Sequence, residues 1–175
     1  MASSRRHAAQ VSVRGDKVGP NPTDRAKNGV KTSLLVEGDG GPLAAVLDGA
    51  NRHDTKLLDA TLAAVVVERP QPTPEAPQNL SLDKGYDNPT GRAAVAKHGY
   101  VPHIRRIGEE KFDPTTAEKK YPARRWVVER TIAWLTHCRA ILIRWDVHSE
   151  NYLGLIQLAS ALLWFRRLTR LQVLR

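Results

Sequence analysis

Apolar positions are sparse and unpatterned over residues 1–31, where Gly19-Pro20-Asn21-Pro22 and Asn28-Gly29 signal turns. This polar N-terminal segment is expected to pack little by itself. From Lys31 the character changes. Ser33-Leu34-Leu35-Val36 and Pro42-Leu43-Ala44-Ala45-Val46-Leu47 flank the loop Glu37-Gly38-Asp39-Gly40-Gly41, which predicts a β-hairpin. Leu57, Leu58, Leu62 and Val65 recur at helical spacing between Asp54 and Val67, with His53 or Asp54 as the cap. The connector 69–78 is rich in proline, so it is excluded from helices and interior strands because alternate residues lack an amide hydrogen. Asn79-Leu80-Ser81-Leu82 then reads as a strand running into Asp83. A helix follows from Pro89 to His98 and stops at Gly99, and Tyr100–Ile104 reads as an edge strand because Pro102 cannot donate to a ladder.

Residues 105–120 are charged and unpatterned. A helix is predicted from about Ala123 to Leu142, with Val127, Thr131, Trp134, Leu135, Cys138, Ile141 and Leu142 forming one apolar stripe. At about 100° per residue, Glu129 falls opposite that stripe together with Arg125 and Thr136. A last helix, from about Asn151 to Leu171, is apolar around most of its circumference until Arg166, which predicts burial of its first half.

Size and charge narrow the picture. A chain of 175 residues suits one domain, here residues 32–175 after the polar segment. Its 27 basic against 18 acidic residues, a net +9, favour a polyanionic partner such as double-stranded DNA. Cys138 is the lone cysteine, so no intrachain disulfide can form, and a reducing, cytoplasmic setting is expected. The most apolar run, Leu153–Phe165, is interrupted by Gln157 and Ser160, so no membrane span is predicted. No zinc-type Cys/His spacing, phosphate-binding glycine loop or nucleophile elbow occurs.

Two acids carry the candidate chemistry. Asp83 sits where a strand ends and the backbone turns, and Glu129 lies on a polar helix ridge. Carboxylates from separate elements beside a basic surface are what metal-dependent phosphodiester chemistry needs. Each also has an ordinary reading: Asp before Lys-Gly caps a turn, and Arg125–Glu129 is an i, i+4 surface pair. Around Glu129, the basic residues Lys119, Lys120, Arg124, Arg125 and Arg130 suit a phosphate backbone, with Tyr121 and Trp126 placed to pack on sugar or base.

Four phrases resemble the DDE transposases of bacterial insertion sequences, particularly the insertion-sequence-five group. Gly19-Pro20-Asn21-Pro22-Thr23-Asp24-Arg25 and Gly49-Ala50-Asn51-Arg52-His53-Asp54 resemble its G-P-N-P-T-D-R and A-N-R-H-D segments. Asp83-Lys84-Gly85-Tyr86 resembles its D-x-G-Y signature, and Arg125-Trp126-Val127-Val128-Glu129 its R-x-x-x-E signature. The likeness runs from about His7 to Leu168. It implies an RNase H-like mixed sheet with a central β-hairpin, helices on both faces and a helical C-terminus. It also implies catalytic and metal-holding roles for Asp83 and Glu129, two Mg²⁺ (or Mn²⁺) ions, insertion-sequence ends and target DNA as substrates, and self-association or an upstream fragment as partner.

The chain departs from that pattern in one main respect. The family's first aspartate, on its first strand, falls upstream of the part matching Arg6-His7-Ala8-Ala9. That strand is expected to be absent, leaving a truncated or frameshift-dependent piece that is inactive alone. The alternative function is a non-catalytic DNA-binding remnant. Thr136 stands where the broader family has a basic residue, with His137 and Arg139 as the nearest substitutes, and Pro122 stands where it has a tyrosine.

Overall fold

A computed structural model describes residues 2–12, 14–25, 27–104, 125–171 and 173, with residues 2–7 and 125 described by backbone alone. The strands are β1 (Ala2–Val11), β2 (Gly19–Pro20), β3 (Asn28–Val36), β4 (Pro42–Gly49), β5 (Asn79–Leu82), β6 (Val101–Ile104) and β7 (Ile143–Arg144). The helices are α1 (Asp54–Ala63), α2 (Pro89–Lys97), α3 (Arg125–Thr136), α4 (Arg139–Leu142) and α5 (Ser149–Arg170). They form one mixed sheet in the order β2-β3-β1-β5-β6, with β4 also on β3 and β7 on β1. β1 runs antiparallel to β3 and parallel to β5 and β7, and β5 runs parallel to β6.

The pleat assigns each residue to a face. Leu35, Ala44, Leu80 and Leu82 pack with Leu58, Leu62, Val95 and Tyr86 under α1 and α2. The alternating positions Val30, Leu34, Val36 and Leu47 pack instead beneath α3, α4 and α5, against Val127, Val128, Leu135, Ile141, Tyr152 and Ile156. Helices therefore cover both faces. A hydroxyl pair, Thr61 Oγ1 donating to Ser33 Oγ at 2.8 Å, satisfies the polar atoms trapped beneath α1.

Several expectations are corrected. Residues 1–31 do not stand apart from the sheet: β1 occupies its middle and β2 pairs with β3. The strand was invisible in the sequence because Arg5, Arg6, His7 and Gln10 break any apolar alternation. Its ladders to three other strands hold it there, together with burial of Ala9 and Val11. The hairpin β3–β4 is correspondingly displaced from the centre, with β4 lying on the far side of β3 from β1.

α1 stops at Ala63, short of Val65-Val66-Val67, where β-branched side chains lower helix propensity and Val66 is 89% exposed. His53 takes its N-cap position without a side-chain bond to the helix backbone, its Nδ1 lying 2.8 Å from Thr55 Oγ1, while Asp54 pairs with the buried Lys31 Nζ at 3.0 Å. The predicted helix 123–142 is broken after Thr136. There Thr136 Oγ1 and His137 Nδ1 both reach the Ala133 carbonyl, at 2.9 and 2.6 Å, and compete with the backbone ladder. Cys138 is exposed rather than part of the stripe. α5 buries Tyr152, Ile156 and Leu163 but exposes Leu158, Leu162 and Phe165, so it is one-sided rather than enclosed along its first half.

One ionic anchor ties the two ends of the domain together. Arg144, fully buried, donates to the carbonyls of Asp16, Asp146 and Val147 and to Asp16 Oδ1. Asp16 also accepts from Ser149 N at 2.7 Å and from the Ser149 hydroxyl, capping the start of α5. These bonds, led by the Ser149 hydroxyl, hold the Asp16 carboxyl down at about 2. Among the described residues, no helix is long and apolar enough to cross a membrane.

Candidate functional site

Asp83 ends β5 in an extended conformation, φ −74° and ψ 158°, so the pleat continues through it. Leu80 and Leu82 point into the α1/α2 core, which leaves Ser81 and Asp83 on the opposite face, the one α3 covers. The Asp83 side chain accepts from Lys84 N at 2.8 Å, and its carbonyl accepts from Tyr86 N at 3.0 Å. Together these close the single turn Lys84–Tyr86, whose tyrosine ring is buried as a plug. The turn chemistry expected of Asp83 is therefore present. It fixes the backbone from which the carboxylate is presented.

Glu129 rides on α3, which packs across β1 and β3. Val127, Val128, Thr131 and Leu135 are buried beneath the helix, each fully buried aliphatic side chain contributing about 1.5–3 kcal/mol to docking it. Glu129 itself is exposed. One flank of α3 grips the hairpin loop: Thr131 Oγ1 donates to Gly40 O at 2.7 Å and Arg130 Nη2 to Asp39 O at 2.6 Å. Gly40 has φ +94°, and a Cβ there would lie 2.9 Å from Thr131 Oγ1, so only glycine allows this approach. At about 100° per residue, Glu129 lies away from the loop-gripping flank and on the side of the helix opposite its buried stripe. β1 separates β3 from β5, pairing Ser3 with Ser81 two residues before Asp83. The pleat thus directs Asp83 to the sheet face over which α3 carries Glu129. β1, with the sequence ASSRRHAAQV, carries no acid of its own.

The remaining predicted residues divide into three sets. Trp126 is 56% exposed, and the Arg130 guanidinium stacks over its ring at 4.8 Å, so these two are together on α3. Arg125 opens α3 and is described by backbone alone, while Lys119, Lys120, Tyr121 and Arg124 lie outside the described residues. His137 and Arg139 are exposed but lie beyond the break, on the turn and on α4, so they do not extend the ridge carrying Glu129. Asp16 is the structural anchor already described. Among the described residues, no group of three or more His, Cys, Asp or Glu side chains is placed to hold a metal ion.

Sequence reasoning missed a basic pocket of about 340 Å³ on the loop side of α3. Arg130 and Trp134 from α3 face Arg166, Arg167 and Arg170 from α5, over Gly40 and Leu163. Arg167 is fixed by Glu37, Nη1 to Oε1 2.7 Å, and also reaches the Asp39 carbonyl. Burial raises the Glu37 pKa, but amide donors from Asp39 and Gly41, together with Arg167, outweigh burial and leave it lowered. The signal available in the sequence was Arg166-Arg167 with Arg170 one turn on, at the end of an apolar helix. That these meet Arg130 depends on the hairpin loop.

Residues 8–164 match the family described as "Transposase DDE domain". Over 156 residues the chain is 36% identical to a Burkholderia cepacia protein assigned as the transposase of insertion sequence element IS402, an alignment spanning 88% of this chain and 71% of that protein.

Proposed function

This chain belongs to the DDE-domain transposases of insertion sequences, and we propose that Asp83 and Glu129 are its catalytic carboxylates for metal-dependent DNA strand cleavage and transfer. The observation that carries the reading is the pleat of β5, which directs the strand-end Asp83 to the sheet face covered by the helix that carries Glu129. On this reading the sheet is RNase H-like, with β1 central, the hairpin to one side and the parallel strands β5 and β6 to the other.

The donors suit the family's divalent cations. Carboxylate oxygens are the hard ligands Mg²⁺ or Mn²⁺ prefer, and Asp83 and Glu129 would hold the ion between them. When bound, the cation lowers the pKa of an attacking water or DNA 3′-hydroxyl and neutralises charge on the phosphate and leaving oxygen. The chain's own residues do the rest. The turn at Lys84–Tyr86 fixes the Asp83 backbone, and the buried Val127–Val128 pair and the Gly40–Thr131 contact fix the pitch of α3. Arg130 and Trp126, stacked together, offer a cation and an aromatic face to the backbone of double-stranded DNA.

The test is nicking of supercoiled plasmid in Mg²⁺ or Mn²⁺, alongside duplex binding. Asp83→Asn and Glu129→Gln are each expected to abolish metal-dependent nicking while leaving binding intact. Binding without any nicking in the wild-type chain would support a non-catalytic DNA-binding protein instead.

A further inference from the structure

Two helices converge on the basic pocket with matched one-turn spacings. Arg130 and Trp134 are four residues apart on α3, and Arg166 and Arg170 are four apart on α5, with Thr131, Leu163 and Gly40 between them. The four arginines are not equivalent. Arg167 is neutralised by Glu37, and Arg130 is fixed by the Asp39 carbonyl and the Trp126 ring. Arg166 stacks over Trp134 at 5.3 Å, and neither it nor Arg170 has a hydrogen-bond or ion-pair acceptor among the described residues.

Asp39 is the one carboxylate among the described residues lining this pocket. Like charges gathered around a cavity repel unless an anion enters, and guanidinium groups match phosphate oxygens in pairs. Trp134 is 42% exposed at the wall, and Trp126 is exposed on the same helix, so the anion has aromatic surface beside it. This favours a polymer with sugars and bases over a free ion.

We infer that this pocket binds a phosphodiester of the DNA strand, as a subsite separate from the carboxylates, with Arg166 and Arg170 as the phosphate ligands and Trp134 packing on the adjoining sugar or base. The inference rests on the transposase reading, since that supplies the DNA. Neither Asp83 nor Glu129 is among the residues that line the pocket.

The experiment is fluorescence anisotropy of a labelled duplex over a salt series, with the full chain. Each duplex phosphate contact contributes about 0.9 to the slope of log K against log salt. Replacing both arginines, R166A/R170A, is expected to flatten the slope by about 1.8, whereas R166K/R170K retains most of it because the charges remain. An unchanged slope in R166A/R170A overturns the pocket, and so does a wild-type chain that fails to bind duplex. Nicking that persists in D83N/E129Q while R166A/R170A loses its slope sinks the catalytic reading and leaves the pocket standing. If R166A/R170A does not fold, tryptophan fluorescence decides: against a W126F background, quenching by a short oligonucleotide should fall further in W126F/W134F, and quenching as strong in W126F/W134F as in W126F overturns the proposal.

Discussion

Replacing Gly40 by alanine tests whether the hairpin loop sets the position of the helix bearing Glu129. The substitution adds one methyl group to a residue at φ +94°, a region that costs an L-residue about 1–3 kcal/mol. The new Cβ would lie 2.9 Å from Thr131 Oγ1, 3.1 Å from Arg130 Nη2 and 3.3 Å from Val127 Cγ1. The arginine can swing aside, but Thr131 and Val127 are buried and must move with the helix. If the loop retreats, the 2.7 Å bond from Thr131 to the Gly40 carbonyl is lost, a further cost of about 1 kcal/mol. The expected destabilisation is about 2–4 kcal/mol. Urea denaturation gives that number, and plasmid nicking by the fraction that remains folded gives the effect on Glu129. A T131V partner makes the logic sharper: it keeps the bulk but has already lost the bond to the Gly40 carbonyl that a retreating loop would break, so G40A/T131V should cost less than the sum of its parts. A G40A protein within about 0.5 kcal/mol of wild type and fully active would refute the account of how α3 is seated.

Three further outcomes are expected. Asp16 has its carboxyl pKa lowered to about 2 from 3.8, so its contribution is complete above the unfolded value and disappears as pH falls from about 4 through 2. An acid titration followed by circular dichroism should show less pH dependence in that window for Asp16→Asn, and an identical profile would disprove the capping role. Gly85 has open space around a would-be Cβ and no positive φ, so Gly85→Ala should fold as well as wild type in thermal melts. A large loss of nicking in that variant would then point to close approach of DNA at this turn, whereas a loss of stability would contradict the local geometry. Removing the buried Arg144 guanidinium with Arg144→Met should cost about 3–5 kcal/mol in urea denaturation, because the Asp16, Asp146 and Val147 carbonyls lose their donor. A cost below about 1 kcal/mol would show that water replaces it.

Elements governed by local periodicity were legible in the sequence. The hairpin, the strand ending at Asp83, and the helices beneath Glu129 and from Ser149 all announce themselves through apolar spacing, whereas the mixed sheet with helices on both faces was implied by the family resemblance. β1 and β7 were not legible, for a common reason. Their stability comes from ladders with residues far away in the chain, while their own side chains include Arg5, Arg6, His7 and the enclosed Arg144. The break after Thr136 turned on competition for one carbonyl, which no apolar pattern encodes. The arginine pocket needed three segments to meet, and only the pair Arg166-Arg167 hinted at it.

The place of β1 also has a consequence for how the chain is made. Its ladder with β3 closes over a short span, Gln10 with Gly29 at the near end, and can zip up early in synthesis. The other edge has to wait for Leu80 and Ser81, and its far end for Ile143 and Arg144. Until the ribosome has released most of the polypeptide, that edge exposes unpaired amides and carbonyls, a template on which neighbouring nascent chains can add strands. Closure over such long loops is intrinsically slow. Overproduction should therefore drive this protein towards aggregates more readily than its final stability alone suggests.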